Sequence, residues 1–135
     1  MKNLALFDFD GTITNTDSLS NFLKFISGPI KYFFYKYIFH FHLYVLYYFK
    51  INDYNKLKKS QIKTIISGMS VNQLNNYSKY FYDYILSKQI RPEAIKCLVD
   101  HKKKGDTVVI VSASLDIILK YFCDEYDCNL ITNQL

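Results

Sequence analysis

Leu4-Ala5-Leu6-Phe7-Asp8-Phe9-Asp10-Gly11-Thr12 is the stretch on which the fold turns. It begins as a short apolar run and ends on two carboxylates and a glycine. A strand buried on both faces reads as a continuous hydrophobic run, and acids at its end mark the mouth of a parallel sheet, where α/β proteins bind ligands. Asp8 and Asp10 stand two residues apart, so both can reach that mouth as the strand opens into a loop. A calcium loop is the competing reading and fails on spacing. With Asp8 as position one, the glycine needed at six would be Ile13 and the glutamate at twelve would be Leu19.

Beyond this run the period changes from two to between three and four. Leu19, Phe22, Leu23 and Ile26 describe a helix that Gly28-Pro29 stops. Residues 30–50 form a second helical stretch that is almost continuously aromatic. Asp53 is placed to cap a third helix, through Leu57, Ile62, Ile65 and Ile66 to Gly68. Ser70 with Gln73 makes a capping box for a fourth, with Val71, Leu74, Phe81 and Ile85 on one face. Pro92 opens a fifth at its first turn, turning Ile95, Leu98 and Val99 inward, and Gly105 follows it. Thr107 to Val111 is β-branched and continuous, a second buried strand that ends at Ser112-Ala113-Ser114. Ser114 then caps a helix carrying Ile117, Ile118, Tyr121 and Phe122, and Leu130-Ile131-Thr132 reads as a third strand. The expected class is α/β, with helices inserted directly after the first strand.

The chain has 135 residues, half of them hydrophobic and 21% charged, which suits a compact domain and excludes a disordered or collagen-like chain. Its charge is uneven. Residues 15–91 carry eleven Lys or Arg against Asp17, Asp53 and Asp83, a net +8, while the flanking segments are slightly acidic. Such a block suits an anionic substrate or a lipid surface; the basic residues form no recognisable nucleic-acid reader, so nucleic acid is not an expected partner. Cys97, Cys123 and Cys128 make neither a CxxC pair nor a zinc spacing and read as reduced thiols. With no leader-like segment ahead of the first strand, a cytoplasmic location is expected. Tyr32 to Phe49 is long enough to span a bilayer, but Lys36, His40 and His42 interrupt it. A buried or partner-facing helix is the expectation there, with an interfacial helix at a lipid surface as the minority reading.

Ser112 supplies the second chemical element. A hydroxyl, the Ala113 N–H and a helix start following a buried strand form a place for a phosphoryl oxygen. Together with the Asp8 loop, this arrangement resembles the haloacid dehalogenase superfamily of phosphohydrolases. Phe7-Asp8-Phe9-Asp10-Gly11-Thr12-Ile13 is similar to that superfamily's first motif, and Val108-Val109-Ile110-Val111-Ser112-Ala113-Ser114 to its second. The intervening helices resemble the inserted cap of the phosphoserine-phosphatase-like branch, subfamily IB, where Ile90-Arg91-Pro92-Glu93 is also a familiar run.

The resemblance implies a partial Rossmann-like core of residues 1–14 and 92–135 with a helical cap of residues 15–91. It implies a phosphomonoesterase in which Asp8 is the nucleophile and Asp10 the general acid and base. Mg²⁺ would bind the Asp8 carboxylate and the Asp10 backbone carbonyl. Ser112 and the N–H groups of Phe9, Gly11 and Ala113 would hold the phosphate, Thr12 would fix the loop, and Asp17 would face the substrate. Gly11 stands where phosphoserine phosphatases have Ser, and Asp17 where they have Glu, which leaves sugar and lipid phosphates open beside other small phosphorylated substrates. The superfamily also has a charge-neutralising Lys and a Gly-Asp motif after the third strand, whereas this sequence ends at Asn133-Gln134-Leu135. The resemblance therefore implies a C-terminal truncation, impaired turnover and an exposed first-strand edge that self-associates or accepts a complementary C-terminal fragment. The alternative is a non-catalytic module whose aromatic, basic cap binds a partner protein or an anionic membrane surface.

Overall fold

A computed structural model describes residues 3–39, 41, 45, 48, 49 and 54–133 of the chain. The expected cap at Asp53 and residues 40, 42–44, 46, 47 and 50 of the second helical stretch lie outside them. Three strands, β1 (Leu4–Asp8), β2 (Thr107–Leu115) and β3 (Asn129–Asn133), form a parallel sheet in the order β1-β2-β3. Leu4 pairs with Thr107 and Asp8 with Val111, so the two motif-bearing strands end at the same side of the sheet. The helices are α1 (Ser18–Ser27), α2 (Pro29–Phe33), α3 (Tyr54–Ile66), α4 (Val71–Phe81), α5 (Pro92–Lys103) and α6 (Asp116–Tyr126). Wider π-type turns continue α2 through Phe34–Phe39 and α4 through Tyr82–Leu86.

The chain divides into two compact units, Met1–Phe22 with Asn72–Leu135, and Leu23–Val71. The first holds the sheet. Phe9, Phe22, Phe81, Phe122, Leu98 and Ile118 are fully buried there, and Phe9 meets Phe122 edge-on with centroids 5.1 Å apart. α5 begins at Pro92 and is followed by Gly105 at φ +79°, as Pro at a helix start and Gly past its end dictate. Lys102 extends from α5 to the carbonyls of Tyr126 and Asp127 and the Asp127 carboxylate, closing the C-terminal end of α6. Cys97, Cys123 and Cys128 are free thiols, and burial pushes the Cys123 thiol up to about 12.

Two sequence expectations need correction. β2 does not stop before Ser112 but runs to Leu115; Leu115, not Ser114, precedes α6, and it makes no side-chain cap. Thr132 donates its hydroxyl to the Ser114 carbonyl and Leu115 pairs with Asn133, so β3 holds this segment extended. The ladder register shifts between Val111 and Leu115. Val71 is 70% exposed rather than inward, because it is the first residue of α4; Leu74, Ser78 and Phe81 form the buried line. β1 is an outer strand among the described residues, pairing with β2 alone, and it exposes Leu4 (62%) and Leu6 (61%). No helix of the described residues is long and apolar enough to cross a membrane.

Candidate active site

The loop after β1 is built around Phe9. Its side chain is sealed in the core, and its carbonyl accepts the N–H groups of Thr12 (3.3 Å), Ile13 (2.9 Å) and Thr14 (3.0 Å). With Phe9 fixed inward, alternation sends its neighbours Asp8 and Asp10 the other way. Asp8 is exposed and Asp10 half-buried. Gly11 follows at φ +83°, the left-handed region that side chains disfavour, and this lets the loop reverse without a Cβ penalty. The Thr12 hydroxyl lies 3.4 Å from the Asp8 carboxylate, a long contact across the loop.

Asp10 is held from a second direction. The Ser18 backbone N–H, at the start of α1, donates to its carboxylate at 2.9 Å. The first N–H groups of a helix have no partner within it, so a carboxylate is a natural acceptor there. Burial nevertheless pushes the Asp10 carboxyl above its ordinary value; the charges of Asp17 and Asp8 add to the rise, and the Ser18 hydrogen bonds oppose it. A carboxyl with that bias keeps its proton to higher pH, the property a general acid needs.

Asp17 precedes α1, where its carboxylate accepts the Ser20 N–H at 2.7 Å in a helix-capping geometry. The structure thus gives this exposed side chain a local structural partner. Ser112 lies one residue past Val111, the partner of Asp8, at the same end of the sheet. Its hydroxyl accepts the Ser114 N–H at 3.1 Å; Ala113 is exposed between them. Asp8, Asp10, Gly11 and Thr12 therefore lie at and just past the C-terminal end of β1, and the register sets Ser112, within β2, one residue beyond the partner of Asp8.

Sequence reasoning missed a pair that binds these motifs to each other. The buried hydroxyls of Ser18 and Ser114 meet at 3.0 Å, joining the start of α1 to the end of β2 across 96 positions of sequence. The only signal was a helix start close behind an acidic loop. Nearby, the Arg91 guanidinium donates to the Asn15 side chain and the Arg91 N–H to the Ile13 carbonyl at 2.8 Å. Thr16 donates to Gln89 at 2.7 Å, so the stretches around residues 13–16 and 89–91 are stitched together beside the site. Two lysines of the helices flanking β2 are engaged away from the site. Lys102 closes α6, and Lys120 reaches the Asn75 side chain.

The Asp8 carboxylate and the Asp10 carbonyl are hard oxygen donors and suit Mg²⁺ in kind. That ion commonly takes one or two carboxylates and fills its remaining positions with water and substrate phosphate. Among the described residues no group of three His, Cys, Asp or Glu side chains is placed to hold a metal. The donor set thus fits a metal shared with substrate, not a closed protein cage.

Comparison with known proteins agrees with this geometry. The haloacid dehalogenase-like hydrolase family model matches residues 5–134, and the chain belongs to that family. It is 30% identical over 128 residues to Protein CicA of Caulobacter vibrioides (strain NA1000 / CB15N), covering 95% of this chain and 56% of that protein. The chain thus spans about half the length of the curated relatives it matches. Among solved structures, a protein of unknown function from Bordetella pertussis Tohama I superposes with a TM-score of 0.80 at 17% identity, over 99% of this chain and 61% of that one. A substrate-bound phosphoserine phosphatase gives a TM-score of 0.63 at 14% identity, over 100% of this chain and 57% of that one. These structural likenesses establish a shared fold.

Proposed function

We propose that this chain carries the nucleophile half of a phosphomonoester hydrolase of the phosphoserine-phosphatase-like branch, subfamily IB. The observation that carries the reading is the placement of Asp8 and Asp10 at the C-terminal end of β1 with Ser112 of β2 next to the partner of Asp8, and with burial raising the Asp10 carboxyl. An exposed Asp8 oxygen attacks phosphorus as the ester P–O bond breaks, giving an aspartyl-phosphate. The Asp10 proton goes to the departing alkoxide. Asp10, now a carboxylate, takes a proton from the water that attacks the aspartyl-phosphate, which releases inorganic phosphate and restores Asp8. Ser112 and the N–H groups of Phe9, Gly11 and Ala113 hold the remaining phosphoryl oxygens. Mg²⁺ at Asp8 and the Asp10 carbonyl would screen the anionic nucleophile from the phosphate dianion.

Substrates in this reading are small phosphate monoesters, and Asp17, with its carboxylate at the α1 start, is a subsidiary contact. The core of residues 1–14 and 92–135 carries the chemistry and residues 15–91 act as its cap. β1, an outer strand among the described residues, is where a complementary polypeptide, matching the remainder of the longer relatives, adds to the sheet and covers the face that exposes Leu4 and Leu6. The test is Mg²⁺-dependent hydrolysis of p-nitrophenyl phosphate by this chain, alone and extended by such a region. Activity that rises with the extension and disappears in Asp8→Asn supports the reading; activity that survives Asp8→Asn refutes it.

A further inference from the structure

The compact unit Leu23–Val71 presents a surface that the chemistry at Asp8 does not use. Along α2 and its π-type continuation, and on to Phe41, the residues Ile30, Phe33, Phe34, Tyr37, Ile38 and Phe41 recur at helical spacing. A helical stripe with this period ordinarily faces a core. Here each member is exposed, from 49% at Tyr37 to 83% at Ile30. A contiguous apolar stripe left in water marks an interaction surface.

Charge identifies what covers it. Residues 23–71 contain eight lysines and a single acid, Asp53, a net +7, together with 13 of the chain's 24 aromatic residues. Lysines are interleaved with the stripe: Lys24 and Lys31 are exposed, and the Lys36 ammonium lies 5.5 Å from the ring centres of both Tyr32 and Tyr37. Protein interfaces deplete lysine at their centres, and a second copy of a +7 surface would meet like charge. Aromatic and aliphatic side chains flanked by lysine instead match the region between lipid headgroups and acyl chains.

We propose that the Leu23–Val71 unit binds the surface of an anionic lipid bilayer, its Ile30 to Phe41 stripe entering the headgroup boundary and its lysines pairing with anionic lipid. The proposal stands independently of the phosphatase reading, because its readout is lipid association and not turnover. The full chain is centrifuged with phosphatidylcholine vesicles, with and without phosphatidylserine, at low and high salt. The expected result is at least about tenfold stronger partitioning onto the anionic vesicles, lost at high salt, since each lysine near such a surface adds favourably. Phe33→Ser/Phe34→Ser is expected to reduce that partitioning about tenfold through lost apolar insertion, and Lys24→Gln/Lys31→Gln to weaken it while leaving the fold, read by circular dichroism, unchanged. Equal partitioning onto neutral and anionic vesicles, or none onto either, overturns the proposal. So does sedimentation without vesicles that the Phe33/Phe34 variant abolishes, which would assign the stripe to contacts between copies.

Discussion

We predict that Asp10→Asn separates the two halves of the reaction. The Asp10 carboxyl is pushed up by burial and held by the Ser18 N–H at 2.9 Å, so the variant keeps the amide's size and a carbonyl that can still accept that hydrogen bond. What it loses is a transferable proton. General acid and base contributions are about 10² to 10⁴ in rate, or about 3 to 5 kcal/mol of barrier. An alkyl phosphate, whose alkoxide needs that proton, is expected to lose the full amount in the phosphorylation step. p-Nitrophenyl phosphate has a stable leaving phenolate and needs no such proton, so it still phosphorylates Asp8. Water attack then lacks its base, and the variant stalls as phosphoenzyme. Rapid-quench measurement with substrate in excess over enzyme reads both steps: a burst of nitrophenol approaching one per enzyme followed by little turnover, and no comparable burst from the alkyl ester. Equal losses for the two substrates, or a burst absent with both, would refute the role given to Asp10.

Other expectations follow from the same geometry. Because burial lifts the folded Asp10 pKa above its ordinary value of 3.8, the native state binds the extra proton, and stability falls as pH rises from near 3.8 through the raised value; thermal melts of Asp10→Asn across that window are expected to lack this slope. Ser18→Pro removes the N–H that pulls the Asp10 pKa down, at a helix start where proline is tolerated, and moves the basic limb of the rate profile to higher pH. Ser18→Ala keeps that N–H but deletes the buried Ser18–Ser114 hydroxyl pair, so denaturant titration is expected to show a loss of about 1 to 3 kcal/mol, and because the Ser18 side chain also lowers the Asp10 pKa the basic limb moves up, by less than in Ser18→Pro. A Cβ at Gly11 would meet no atom within 4 Å, so Gly11→Ala measures backbone strain alone, about 1 to 2 kcal/mol by the same titration. Chelation of Mg²⁺ is expected to abolish phosphorylation of the wild-type chain and to be reversed by added Mg²⁺.

The parts of this fold written in local sequence are those with a local cause. Apolar runs announced β1 and the first half of β2, Gly28 and Gly105 marked helix ends through positive φ, and Pro92 marked a start. The candidate site was legible as far as Asp8 and Asp10, because acids ending an apolar strand are costly without a use. Ser112 was legible as a residue but misplaced in its element: Ser114 is an ordinary capping residue by type, and only the pairing with β3 keeps the segment extended to Leu115. The Ser18 contacts to Asp10 and Ser114 were not legible, since each joins residues that only the folded sheet brings together. Val71 fits the helical period yet lies exposed, because periodicity assigns a face but not how far along the helix that face is covered.

The central claim is that Asp8 takes the phosphoryl group. Incubating the chain with Mg²⁺ and p-nitrophenyl phosphate, quenching in acid and mapping by mass spectrometry tests it directly. One added phosphoryl group is expected on the peptide containing Asp8, released by hydroxylamine as an acyl phosphate is, and absent from Asp8→Asn. Modification at another residue, or nitrophenol release undiminished in Asp8→Asn, would contradict it.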